Sequence, residues 1–244
     1  MGVIIFDGKS SRDYGIIVES FPAMNHGAKR GEAYQIAGRN GTYYDEDGTF
    51  DNYIQSYQIA IREGLFRPAD KRCADIQAWL SAPGFKRLED NFEPEYFKMA
   101  RYAGPLNVEQ ILGKWGRCTL EFECKPERWL KSGETVVNMT SESTIENPTA
   151  YTAKPGIAVY GASNSLIPIA VDGDVLMEVQ GQGEDPVLID CAEGTILGSD
   201  GTNLYGSAIF YTSYHDFPTI PPGMHTITAT GATALLVLPR WYVL

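Results

Sequence analysis

From residue 132 onward the chain is cut by turn signals too often to leave a convincing helix between them. Pro155-Gly156, Asp172-Gly173, Gly181-Gln182-Gly183, Gly194, Asp200-Gly201, Pro221-Pro222-Gly223 and Thr230-Gly231 punctuate short apolar runs. Such residues end helices, and short runs between them read as strands. The strongest single signal is Val171-Asp-Gly-Asp174, set between Leu166–Val171 and Asp174–Val179. Asp-Gly accepts the positive φ angles of a type I′ hairpin turn. This half therefore reads as an all-β sandwich or jelly roll.

The first half is β-rich with one helix. Val3–Phe6 and Tyr14–Val18 read as a strand pair joined through Asp7-Gly8-Lys9. A turn-rich segment follows, Gly38-Arg39-Asn40-Gly41 and Asp45-Glu46-Asp47-Gly48. In the long strand after it, Tyr53, Gln55, Tyr57, Ile59 and Ile61 share one face. Together these are expected to make a long arm with a glycine-bearing tip. Pro68 and Asp70 suit a helix start, and Cys73, Ile76, Trp79 and Leu80 recur at helical spacing up to the Pro83-Gly84 stop. Further strands are expected at Phe85–Leu88, Tyr96–Tyr102, Leu106–Val108 and Trp115–Cys124.

On that last strand Cys118, Leu120, Phe122 and Cys124 face one way, and Arg117, Thr119, Glu121 and Glu123 the other. Six strand residues separate the two cysteines by ~20 Å, beyond the ~6 Å Cα spacing of a disulfide. They read as buried free thiols. Cys73 and Cys191 stand apart, and no Cys-x-x-Cys marks a zinc site.

Charge divides the chain. Of the net −11, residues 1–131 hold 18 basic against 19 acidic side chains, while residues 132–244 hold only Lys154 and Arg240 against 12 acids. The change falls in Cys124-Lys-Pro-Glu-Arg-Trp-Leu-Lys-Ser-Gly133, a polar stretch read as a joint between two domains, 1–131 and 132–244. Lys29-Arg30, Lys71-Arg72 and Lys86-Arg87 are too short and scattered to grip a phosphate backbone. No run approaches the ~18–20 apolar residues of a membrane span. The N-terminus lacks the pattern of a signal peptide, and Phe6 breaks the myristoylation motif that Gly2 would begin. Synthesis in a cytoplasm, without membrane insertion, is the expectation.

Ile5-Phe-Asp-Gly-Lys-Ser-Ser-Arg-Asp-Tyr-Gly-Ile-Ile-Val18 resembles the opening of distal tail proteins of long non-contractile-tailed bacteriophages. Ala37-Gly-Arg-Asn-Gly41, Asp47-Gly-Thr-Phe50 and Ala78-Trp-Leu80 fit the same pattern. So do Phe122-Glu-Cys-Lys-Pro126, Ile145-Glu-Asn-Pro148, Pro155-Gly-Ile-Ala-Val-Tyr-Gly161, Ile189-Asp-Cys191, Phe217-Pro-Thr-Ile-Pro-Pro-Gly223 and Leu238-Pro-Arg-Trp241. The fragments keep their order along the whole chain. The resemblance implies a tail-tube-like β-barrel or sandwich with one helix, followed by a galectin or carbohydrate-binding sandwich. It also implies a structural hub at the virion tail tip: a homo-hexameric ring joining the tail-tube protein to the tail-associated tip or fibre protein, and often to receptor-binding proteins. DNA passes through the centre of such a ring. An arm rich in Gly and Tyr could lie against a neighbouring subunit, which places Arg39, Asn40, Tyr44 and Phe50 near the contact. Some members carry a glycan-binding insertion in the second domain, for which residues 132–244 leave no room.

The rival chemistries are weaker. His26, His215 and His225 are the histidines available to a nucleophilic triad. His215 and Asp216 are adjacent in sequence, so on a strand they point to opposite faces. Gly161-Ala-Ser163-Asn-Ser165 lacks the second glycine of a nucleophile elbow. Glu89, Asp90, Glu93 and Glu95 read as an exposed acidic loop rather than a glycosidase pair. Asp45–Gly48 and Asp172–Asp174 are calcium-loop fragments without the full ligand spacing. Trp129, Trp241 and Tyr242 could stack on a sugar, but read as packing residues. No catalytic centre, metal or cofactor is expected; the alternative to the hub is a carbohydrate-binding protein that uses the second domain.

Overall fold

Alternation along residues 53–59 organises the first part of the molecule: Tyr53, Gln55, Tyr57 and Ile59 are buried and Ile54 and Gln58 exposed, until Ala60, on the second face, is buried beside Ile61. The computed structural model describes residues 2–62, 69–106, 109–111, 115–140, 143–212 and 216–244. They form two compact units, one up to Arg128 with Leu244, the other Trp129–Val243.

The first unit contains β1 (Ile4–Phe6), β2 (Lys9–Ser10), β3 (Ile16–Val18), β4 (Lys29–Tyr34), β5 (Tyr43–Phe50), β6 (Tyr53–Arg62), α1 (Ala69–Leu80), β7 (Lys86–Asp90), β8 (Tyr96–Tyr102) and β9 (Glu109–Ile111). Then comes β10 (Trp115–Leu130). The main sheet runs β2-β1-β7-β8-β10-β6-β3, with β9 also on β10. A bridge between Gly2 and Val18 draws the start of the chain towards β3, so the sheet curls on itself. Ile4, Phe6, Tyr57, Leu88, Leu120 and Phe122 fill the concave side at 0 % exposure. Burying each such side chain contributes roughly 1.5–3 kcal/mol. The helix closes the core as its spacing requires. Ile76, Trp79 and Leu80 face inward, the Trp79 indole N–H donates to the Phe6 carbonyl at 2.9 Å, and Tyr14 stacks on Trp79 at 4.7 Å.

Three expectations shift. The long strand 53–62 belongs to the main sheet, so the arm is the hairpin before it. The strand expected at Leu106–Val108 is found at Glu109–Ile111, and residues 107 and 108 lie outside the described set. The polar joint is no loop, because β10 runs through Pro126 to Leu130. Its ladder with β6 ends at the Cys124–Tyr53 pair, and Leu130 N–H next donates to the Trp241 carbonyl at 2.9 Å. Pro126 thus falls beyond the β6 ladder, whose amide donors it lacks the means to supply.

The second unit is a β-sandwich. Its strands are β11 (Val137–Met139), β12 (Ile145–Asn147), β13 (Gly156–Gly161), β14 (Leu166–Val171), β15 (Asp174–Gln180), β16 (Gly183–Asp190), β17 (Thr195–Gly198) and β18 (Ile209–Phe210). β19 (Gly223–His225), β20 (Ile227–Ala229), β21 (Ala232–Leu238) and β22 (Tyr242–Val243) complete it, the last pairing with β10. A five-stranded sheet, β11-β21-β13-β16-β17, faces a four-stranded one, β18-β15-β14-β20. Val159, Val187 and Val237 from the first interlock with Ile167, Ile169 and Met177 from the second, all fully buried. The Asp-Gly turn is as expected: Asp172 and Gly173 adopt φ of 51° and 90°, and Val171 pairs with Asp174.

Candidate functional site

The segment that the chain leaves uncovered is the hairpin β4–β5, which forms a two-stranded sheet of its own. Its register pairs Gly31 with Glu46, Ala33 with Tyr44 and Tyr34 with Tyr43, with an irregularity between Lys29 and Gly31. Along both strands every residue but Gly31 and Phe50 is exposed. Eight strand residues reach ~26 Å. The tip turns at Gly38 and Gly41, with φ of 80° and 86°, and Arg39 N–H closes it onto the Ile36 carbonyl at 3.1 Å.

Sequence explains why this hairpin stays out of the core. Tyr43-Tyr44-Asp45-Glu46-Asp47 has no period-two alternation, so neither face is apolar enough to bury. Salt bridges span it instead: Lys29–Glu46 at 2.9 Å and Arg30–Asp51 at 3.0 Å. Glu46 raises the Lys29 pKa, chiefly through the hydrogen bond it accepts. Exposed pairs of this kind hold geometry more than they stabilise. The base is better fixed. Asn25 donates to the Ile54 carbonyl at 2.7 Å and Gln55 to the Ala23 carbonyl at 3.0 Å. At Gly27 a Cβ would stand 2.1 Å from the Asp51 carbonyl oxygen, so only glycine lets the strands leave the body here.

Arg39 and Asn40 lie exposed at the tip, Tyr44 midway, and Phe50 half-buried at the base, so the four do not share one patch. Tyr44 donates from its hydroxyl to the Lys29 carbonyl at 3.2 Å. Sequence reasoning missed Tyr34, Ile36 and Tyr43, which are 47 %, 46 % and 56 % exposed on the same hairpin. It also missed Phe21 and Met24 in the segment leading into it, 82 % and 77 % exposed. The available signal was apolar residues recurring in a stretch with no strand or helix period. Clustered exposed apolar side chains mark contact surfaces.

The other candidate groups are occupied. Asp90 is buried, not part of an exposed acidic loop: it accepts from Tyr57 at 2.7 Å and from the Phe92 and Glu93 amides. Buried Lys98 reaches Glu93 at 2.7 Å and Asp90 at 3.6 Å, and Arg128 donates to Glu93 at 2.7 Å. The Asp90-Asn-Phe-Glu93 turn needed these partners from β8 and β10, which the local sequence did not reveal. Burial, then the Asp90 carboxylate, pushes the Tyr57 phenol well up. These carboxylates are saturated and structural.

His225 pairs with Asp172 at 2.6 Å, which raises the imidazole pKa and lowers that of the carboxyl. His26 is exposed, and His215 lies outside the described residues. Ser165 donates to the Ala162 carbonyl at 2.6 Å within a turn. Asp47 caps Thr49, and among the described residues no His, Cys, Asp or Glu trio gathers as a metal centre would. Trp241 is core, and Tyr242 packs between Trp129 and Tyr151, each ring pair at 5.6 Å. All four cysteines are free; burial pushes the Cys124 and Cys191 thiols up to about 12 and Cys118 to about 11, so they stay protonated. An open groove of about 530 Å³ beside Cys118 is lined by Glu19 and Arg117, which pair at 3.0 Å and so cancel each other's charge.

No family model matches the chain, and no curated protein does. Solved structures do. The Dit protein of phage SPP1, described as a paradigm of the hub adsorption apparatus in phages infecting Gram-positive hosts, superimposes with a TM-score of 0.75 over 100 % of both chains at 15 % identity. The fold is that of a phage distal tail protein. A chain of the phage p2 baseplate in its activated conformation with Sr gives a TM-score of 0.53 over 97 % of each chain at 12 % identity. The Ca form of that baseplate gives 0.52 over 98 % at 10 %. The distal-tail fold thus spans both units, from the curled sheet with α1, the one α-helix among the described residues, to the sandwich.

Proposed function

We propose that the chain is a non-enzymatic structural hub of a phage tail tip. In this reading residues 1–131 of six copies build a ring, and residues 132–244 project from it. The ring joins the tail-tube protein to the tail-associated tip protein and receptor-binding proteins, and DNA passes through its centre. The chain is made in the host cytoplasm and resides in the virion tail tip. One observation carries the reading: a chain that follows a hub protein's fold end to end also bears an exposed hairpin that pairs with no other strand among the described residues. An open strand edge accepts another strand, and a heterologous contact repeated about an axis closes a ring. In this reading the contact runs the length of the hairpin, from Arg39 and Asn40 at the tip past Tyr34, Tyr43 and Tyr44 to Phe50 at the base. A glycan-binding role has less behind it, since Trp129, Trp241 and Tyr242 are engaged in packing.

The test is to image the purified full chain by negative stain while measuring its mass by light scattering. Six-fold rings with an open centre are expected. Deleting residues 31–46 across the Gly31–Glu46 pair, with a two-glycine link, should yield folded monomers. Rings that persist in that variant would sink the arm assignment.

A further inference from the structure

Strands of an antiparallel sandwich normally alternate, apolar inward and polar outward. β21 does not. Leu235 and Val237 point into the core, yet Ala234 and Leu236 on its outer side are apolar too. The register extends this across the sheet. Leu236 pairs with Ala158, Ala158 with Leu188, and Leu188 with Leu197, one outward row over four strands. Tyr160, paired with Ala234, begins a second row. Leu188 is 41 % exposed. Apolar residues on both faces are the pattern of a sheet covered on both sides.

Acidic side chains border the row at its β16–β17 side. Exposed Glu184 and Asp185 open β16, and exposed Glu193 and Asp200 lie beyond the ends of β17. Arg240, one of the two cations in residues 132–244, is held by Asp190 through bonds of 2.7 and 2.8 Å. A second copy of this face would set acid against acid. We propose that the outer face of the five-stranded sheet docks a different protein, one presenting an apolar strip within a basic rim. This inference stands apart from the hub reading, which concerns the hairpin.

The probe is a synthetic strand peptide of alternating Leu and Lys, with a Leu/Glu peptide as its counterpart, titrated calorimetrically into the full chain at low and high salt. The Leu/Lys peptide should bind at least tenfold tighter than Leu/Glu and weaken with salt. Leu188→Lys and Leu236→Lys should each weaken it at least tenfold again; Leu188→Thr, which suits a strand, keeps the test readable should Lys disturb the sheet. Equal binding of both peptides, or undiminished binding by the variants, overturns the proposal. So does self-association of the chain that Leu188→Lys abolishes, since a second copy would then be the occupant. Ring formation by Leu188→Lys is expected to be normal, so the two proposals fail separately.

Discussion

β5 and β6 are consecutive, both rich in tyrosine, and meet opposite fates. In β6 the tyrosines sit at Tyr53 and Tyr57, on the face shared with Ile59 and Ile61, and all are buried. In β5 Tyr43 and Tyr44 are adjacent, so they point to opposite sides and both stay exposed. Phase, not composition, decides which strand a core can hold. The strand that lacks a phase is held by its ladder with β4 and by ion pairs instead of by a core.

The sharpest way to break the comparison is at the core end. Phe122 packs on Phe6 at 5.1 Å, on Tyr102 at 5.7 Å and on Tyr57 at 6.0 Å. Phe122→Ala should cost about 3–5 kcal/mol in urea unfolding of the first unit. A loss below about 1 kcal/mol would mean that this aromatic cluster is not what holds β6 and β10 together.

The same contrast explains what the sequence disclosed. Wherever side chains alternate in phase with burial, as along residues 53–59 and 118–124, the strand and its inward face were legible. So were the one helix and the Asp172-Gly173 turn, because their signals are local. Partners distant in sequence were not. Asp90 looked like one of several surface acids until Lys98, Tyr57 and the backbone of its own turn converged on it. Pro126 looked like a break because proline usually is one, yet the β6 ladder had already ended. On the hairpin the tip position of Arg39 and Asn40 was legible from Gly38 and Gly41, whereas the exposure of Tyr34 was not, since β4 carries no alternation of its own.

Ion pairs sharpen the comparison at an intermediate size. On the hairpin, Lys29–Glu46 leaves 59 % and 44 % of the two side chains exposed; Arg240–Asp190 in the sandwich leaves 28 % and 30 %. The Arg240 guanidinium, helped by the Glu193 and Ala192 amides, holds the Asp190 carboxyl at about 2 against its ordinary 3.8. The folded-state value is the lower one, so the stabilisation is complete above pH ~4 and is lost as pH falls towards 2. Solvent screens the partly exposed pair, so the stabilisation amounts to roughly 1 kcal/mol. Asp190→Asn should therefore lower the melting temperature of the second unit at pH 7 and flatten its acid limb between pH 4 and 2. Parallel acid limbs in the two proteins would deny the pair this role.

The smallest expected effect is the most informative about the hairpin. Tyr43 is 56 % exposed and faces no core, so Tyr43→Ser should leave the stability of the monomer within about 0.5 kcal/mol of the parent. The same change at a buried interface position costs about 2 kcal/mol or more, because tyrosine is enriched among the residues that dominate binding. Mass against concentration by light scattering, beside thermal unfolding of the monomer, separates the two. Unchanged melting with ring assembly displaced to at least tenfold higher concentration would assign Tyr43 to a contact between copies. Lost stability in the monomer would instead mean that the hairpin packs on its own chain. Its lack of phase would then have to be explained by something other than an absent partner.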